Sequence, residues 1–281
     1  MPDQVKDSCF CTLALGKNYR LLTSQLAQDL ALYSPQTPLV VLTDKPEDFL
    51  ELTNVLAFKH KPKGVKFYQD KRLVIAKAIS MFNSCIFVDA DVRILGDVPT
   101  NLQWYQGITA RTGSSITKHN KSKSKHLKII KKVAQKMNLN LTSEVKFVNE
   151  FLFTVTRAGG AEQDFLQQWE KIAYYFELHG IHNGEGNAIG LAAAKSGLPI
   201  QFDSVDRFPF FKDKIERRRI KHGKSKLEEK LIYFEQRQQI EITQQYLFRK
   251  AWNKLKAYLG YNYRALRLKL QTLNNYQFYY Q

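Results

Sequence analysis

Cysteine is scarce in this chain: three in 281 residues, Cys9, Cys11 and Cys85, with no CxxC pair among them. An odd, small number inside apolar runs excludes a disulfide framework and a zinc site of that spacing, and predicts buried reduced thiols in a cytoplasmic protein. Long hydrophobic runs are also missing. No stretch approaches the ~20 apolar residues of a spanning helix. The opening "MPDQVKDSCF" carries acids and no apolar h-region, so no signal peptide is expected. There is no internal repeat and no low-complexity tract. Acidic residues thin out along the chain. Residues 1–100 hold 12 Lys/Arg against 11 Asp/Glu, residues 101–200 hold 13 against 7, and residues 201–281 hold 18 against 8, for a net charge of +17. Such a basic C-terminal third implies an anionic partner, whether phosphate, a lipid surface or nucleic acid.

Strand and helix signals alternate over the first hundred residues. "CFCTLAL" (9–15), "PLVVLTD" (38–44), "NVLAFK" (54–59) and "CIFV" (85–88) read as strands. "NYRLLTSQLAQDLALYSP" (18–35) places Tyr19, Leu22, Leu26, Leu30 and Tyr33 on one helical face, and "KRLVIAKAISMF" (71–82) is helical with Lys77 set among hydrophobes. Such alternation predicts βαβ units and a largely parallel sheet, in which ligands bind beyond the carboxyl ends of the strands. Further on, "QGITAR" (106–111) and "KFVNEFLFTVTR" (146–157) read as strands, the second with Asn149 and Glu150 inside it. Residues 240–273 form two basic amphipathic segments broken near Gly260. The expected organisation is an α/β domain over residues 1–230 and a basic helical extension over 231–281.

"CIFVDADVRILGDVP" (85–99) ends a buried strand with two acids one residue apart, Asp89 and Asp91. Desolvating either is costly unless a positive charge meets it. On a strand, residues i and i+2 share a face about 6.5 Å apart, so both acids address one ligand. Their hard oxygens suit Mg²⁺ or Mn²⁺ carrying a diphosphate leaving group.

This arrangement resembles the DxD glycosyltransferases of the GT-A fold, in particular the retaining family that includes glycogenin and bacterial lipopolysaccharide galactosyltransferases. The likeness spans roughly residues 9 to 226. It implies a Rossmann-like mixed α/β sheet flanked by helices and transfer of a sugar from a nucleoside-diphosphate donor, UDP-linked by preference, with Mn²⁺ or Mg²⁺. "CTLALGKNYRLLTSQLAQDLALYSPQTPLVVLTD" is similar to the family's nucleotide-binding βαβ, which implies contacts from Thr12, Leu15, Gly16, Tyr19 and Asp44. "KRLVIAKAISMFNSCIFVDADVRILGDV" resembles its metal segment, with Lys77, Asp89, Ala90 and Asp91 at the donor. "FVNEFLFTV" implies Asn149 and Glu150 near the sugar, "GEGNAIGLAA" implies Glu185, and "IKHGKSK" implies His222 as a third metal ligand beside Lys226. The chain departs from the family pattern where Glu150-Phe151 follows Asn149, where Gly186 follows Glu185, and where no Pro-Trp follows Lys226. The implied acceptor is a carbohydrate, a lipid-linked sugar or a protein. Retention is favoured by the resemblance, while a carboxylate base such as Glu150 or Glu185 would serve inversion.

Two other readings stand beside it. A haloacid-dehalogenase-type phosphatase also ends a strand in DxD, with Asp89 as nucleophile and Asp91 as acid/base, but that motif opens its domain whereas about 90 residues precede it here. A non-catalytic basic module would bind nucleic acid or membrane through Lys and Arg interleaved with Tyr and Trp. Basic residues opposite apolar ones on helical stripes favour an anionic membrane surface over nucleic acid, and an ordinary helical extension packing its apolar face on the preceding domain fits the same pattern equally.

Overall fold

The computed structural model describes residues 6–141, 145–203, 207–212, 223 and 247–281. The apolar runs form a seven-stranded sheet from β1 (Lys6–Ala14), β2 (Leu39–Thr43), β3 (Val55–Lys59), β4 (Phe82–Val88), β6 (Gly107–Ala110), β9 (Leu152–Thr156) and β10 (Ile200–Phe202). Their spatial order is β3-β2-β1-β4-β9-β6-β10. All neighbours are parallel except β9, which runs against both β4 and β6. Both faces are covered, and strands such as β2 are accordingly buried at every position. On one face α1 (Lys17–Tyr33) packs Leu26 and Leu30 against Phe10, Val41 and Ile86. On the other, α2 (Lys71–Met81), α5 (Ala161–Leu178) and α6 (Glu185–Ser196) bury Val74, Ile75, Phe165, Trp169 and Ile189 with Cys9, Cys11 and Cys85. The three cysteines are free, buried thiols, as expected.

Two short ribbons complete the body. β5 (Val92–Ile94) pairs antiparallel with β11 (Phe210–Lys212), and β7 (Gly113–Ser115) pairs with β8 (Lys146–Val148). The single strand expected over 146–157 is therefore two, β8 and β9, with Asn149–Phe151 in the break. The two ends of the break are held differently: Asn149 N–H donates to Thr112 O, while Phe151 O accepts from Asp89 N–H. Helices α3 (Ile116–His119) and α4 (Ser124–Lys136) lie between β7 and β8 in the chain.

The C-terminal part also differs from expectation. One helix, α7 (Leu247–Thr272), runs through Gly260 without a break, and α8 (Tyr276–Tyr280) follows. A mid-helix glycine costs about 1 kcal/mol, and tertiary contacts in the turns after it offset that. Arg264 Nε donates to Val65 O at 3.1 Å, Arg267 donates to Pro62 O and Lys63 O, and Leu268 is buried. Phe278 lies against Tyr175, with Lys171 over its ring. The extension is thus docked on the body through α7 and α8. Among the described residues no helix is long and apolar enough to cross a membrane.

Candidate functional site

The strand order reverses between β1 and β4, since β2 and β3 lie on one side of β1 and the chain then returns to its other side. Beyond the carboxyl ends of such a strand pair lies the crevice where open α/β sheets bind ligands. The loop after β1 holds Leu15 and Gly16, and Gly16 takes φ 84° as the N-cap of α1, a conformation open to glycine without strain. Asp44, after β2, accepts from Gly16 N–H at 2.9 Å and from Arg20 at 2.8 Å, stapling the two loops together. Tyr19, half-exposed at this mouth, has its phenol pushed up by burial and by the nearby charges of Asp91 and Asp89. Thr12 lies deeper, fully buried in β1, with no hydrogen-bond partner for its hydroxyl among the described residues.

The two acids converge, but not as expected. They sit in a turn after β4, closed by Val92 N–H donating to Asp89 O at 3.0 Å, and not on the strand itself. Asp89 N–H donates to Phe151 O, so the β4–β9 pairing extends into the turn. Ala90, between them, is buried. Behind the turn, β5 is fixed to α1 by Arg93, which forks onto Asp29 at 2.6 and 2.7 Å while Ile94 N–H donates to the same carboxylate. A bidentate pair of this kind is geometrically specific, and it anchors the strand that directly follows Asp91.

Two lysines meet these acids. Lys71 Nζ lies 2.8 Å from Asp89 Oδ1 and 3.3 Å from Glu185 Oε1. Lys212 Nζ donates to Asp89 Oδ2 at 2.9 Å and to Asp91 Oδ1. Neither lysine stood out in the sequence. The basic residue expected at the donor, Lys77, lies further along α2 and holds its ammonium over the Phe58 ring at 4.2 Å. It is Lys71 that reaches the acids, as the first residue of α2, where a cation opposes the helix dipole and needs carboxylate partners. Lys212 is brought in by register, since it pairs with Val92 in the β5–β11 ribbon, one residue from Asp91. Its only signal was the short apolar stretch "FPFFK" ahead of the charged segment.

Glu185 opens α6, where a negative charge suits the helix dipole, and it is almost fully buried. The glycines of "GEGNAIG" set this helix down directly on β8. A Cβ at Gly186 would fall 2.1 Å from Val148 O, and one at Gly190 would fall 1.6 Å from Lys146 O. Glu150, in the break after β8, shares the field of this cluster. Burial and then the charge of Glu185 push its carboxyl up to about 7, against the pull of Lys71. Burial would also raise Asp89, but Lys71 and Lys212 hold it well below the usual carboxylate range. Lys71 is driven the other way. Burial disfavours its charge, yet Asp89, Glu185 and Glu150 more than compensate and its ammonium is strongly stabilised.

The structure therefore brings Asp89, Asp91, Glu185 and the electrostatic reach of Glu150 to one place, with Tyr19 beside it. Asn149 is turned to Thr112, whose hydroxyl accepts from its side-chain amide. His222 and Lys226 lie outside the described residues. The Mn²⁺ or Mg²⁺ implied by the DxD resemblance does not fit the described donors as they stand. Both oxygens of Asp89 and Oδ1 of Asp91 already face ammonium groups. Among the described residues no three His, Cys, Asp or Glu side chains are grouped to hold a metal. No protein-family model matches this chain, and no curated protein does either.

Proposed function

We propose that the chain is a glycosyltransferase of GT-A type that moves a sugar from a nucleoside-diphosphate donor to an acceptor hydroxyl. The observation that carries this reading is the cluster of Asp89, Asp91, Lys71, Lys212 and Glu185 at the reversal of strand order, beside a loop–helix entrance built from Gly16, Tyr19 and Asp44. An anionic diphosphate suits the two ammonium groups, and an aromatic ring at the mouth suits a base. In the transfer, the bond from the anomeric carbon to the β-phosphate oxygen breaks and its electron pair stays with the diphosphate. The acceptor oxygen bonds to the anomeric carbon and loses its proton. Glu150, held near neutrality, is the group whose basicity matches that proton. The phosphatase reading is less well supported, because a nucleophilic aspartate gains nothing from ammonium partners on both oxygens.

Incubation with a panel of UDP- and GDP-sugars, scored by release of the free diphosphate, tests the proposal. One donor is expected to be hydrolysed slowly without acceptor, and Asp89→Asn to stop it. No hydrolysis of any donor, alone or with sugar and lipid-linked acceptors, would sink it.

The partner surface follows from α7 and the turn after it. Leu255, Leu259, Tyr263, Leu266, Leu270 and Leu273 recur at spacings of three and four and are 46–66% exposed, whereas Leu268 faces inward. Residues 242–281 contain seven Lys/Arg and no acid. An apolar stripe on an acid-free basic helix matches an anionic membrane surface. Exposed Lys254, Lys256 and Lys269 each add about 1 kcal/mol at such a surface, and leucine burial adds to this. Sedimentation with phosphatidylserine vesicles at low salt tests it, with Leu259→Asn/Leu266→Asn/Leu270→Asn expected to release the protein.

A further inference from the structure

The cation position between Asp89 and Asp91 is filled by the chain itself. The β5–β11 register sets Lys212 opposite Val92, and its ammonium bridges Asp89 Oδ2 and Asp91 Oδ1. Lys71 takes the remaining oxygen of Asp89 and reaches Glu185. Lys212 is 7% exposed and ends a strand it shares with Phe210 and Phe211. A divalent ion would have to stand where this ammonium stands, because Mg²⁺ needs carboxylate oxygens at about 2.0–2.1 Å in near-octahedral array. Two cations cannot share the gap. Together Lys71 and Lys212 bring the formal charge of one divalent ion, and an ammonium has three N–H donors, of which Lys212 directs two at Asp89 and Asp91.

We infer that Lys212, with Lys71, replaces the divalent metal at this DxD pair, so that the centre binds and releases a diphosphate without a metal ion. The role assigned to the diphosphate rests on the nucleotide-sugar reading above; the occupancy of the cation position does not. In this arrangement Asp89 and Asp91 are positioning residues for the lysines, and the lysine N–H groups meet the phosphate oxygens.

Two measurements on the full chain test this. Manganese is first titrated with the protein and followed by the EPR signal of free Mn²⁺, alone and with inorganic pyrophosphate matched to a protein-free control. Wild type is expected to leave the free signal unchanged at hundred-micromolar protein. Lys212→Met, checked for folding by circular dichroism, is expected to take up Mn²⁺ at the freed carboxylates. If wild type binds one Mn²⁺ at micromolar concentration and Asp91→Asn loses it, the inference is overturned, whatever Lys212→Met does. UDP and GDP are then titrated calorimetrically in EDTA and in Mn²⁺. Equal affinity within twofold, with a tenfold or greater loss in Lys212→Met, supports the inference. A tenfold gain with Mn²⁺ that Asp91→Asn removes contradicts it. If neither nucleotide binds in either buffer, the nucleotide reading fails while the manganese titration still decides the cation position.

Discussion

Lys71→Met should be the most damaging single change in the described cluster that leaves every backbone hydrogen bond in place. Lys71 lies 2.8 Å from Asp89 and 3.3 Å from Glu185, and Glu185 is only 3% exposed. Methionine keeps most of the volume but leaves the buried Glu185 carboxylate without its cation. Breaking a buried pair by deleting one partner costs about 3–5 kcal/mol, mostly from the uncompensated charge left behind. At about 2–4 °C per kcal/mol for a chain somewhat smaller than this one, the melting temperature should fall by roughly 6–20 °C. The assay is thermal unfolding at pH 7.5, with Glu185→Gln and the double variant completing the cycle. If the uncompensated charge is the cause, Lys71→Met/Glu185→Gln recovers a substantial part of the loss and the coupling exceeds 1 kcal/mol. A double variant as unstable as the sum of the singles would refute the charge argument and leave only lost packing.

Glu150→Gln should flatten two pH profiles. Because the folded carboxyl is raised to about 7 from 4.5, its contribution to stability is fully present below 4.5 and is lost as pH rises through 7, and unfolding midpoints across that window read the difference. Transfer activity should rise through the same pH range in wild type and lose that limb in the variant. Gly190→Ala should fail to fold or lose at least the about 1–3 kcal/mol usual for overpacking, since its Cβ meets a backbone carbonyl 1.6 Å away; soluble yield and urea midpoint test it. Asp29→Asn should weaken the fork from Arg93 and loosen the turn bearing Asp91, seen as faster amide exchange over residues 92–94 with the core strands unchanged.

Much of the first hundred residues was legible because its strands are buried on both faces and its helices carry a clear apolar face. Leu26 and Leu30 read as a packing face and pack as one. The convergence of Asp89 and Asp91 was also legible, although a turn and not strand alternation produces it. The lysines were not, for two different reasons. Lys71 begins a helix whose composition drew the eye to Lys77, and only tertiary placement of the helix N-terminus against β4 separates them. Lys212 depends on a three-residue ribbon joining segments about 120 residues apart in sequence, and local periodicity carries no information about such a register. The break at Asn149–Phe151 was hidden because residues on both sides are β-formers. Gly260 reads locally as a helix breaker, whereas Arg264, Arg267 and Leu268 supply contacts that local propensity cannot register.

The most direct test of the central claim is where the diphosphate sits. Crystals grown with UDP or GDP, whichever binds, should show difference density for its two phosphates within hydrogen-bonding distance of Lys212 Nζ or Lys71 Nζ, with the base between Tyr19 and Asp44. Diphosphate density elsewhere on the molecule, with Lys212 still bridging Asp89 and Asp91 undisturbed, would contradict the account.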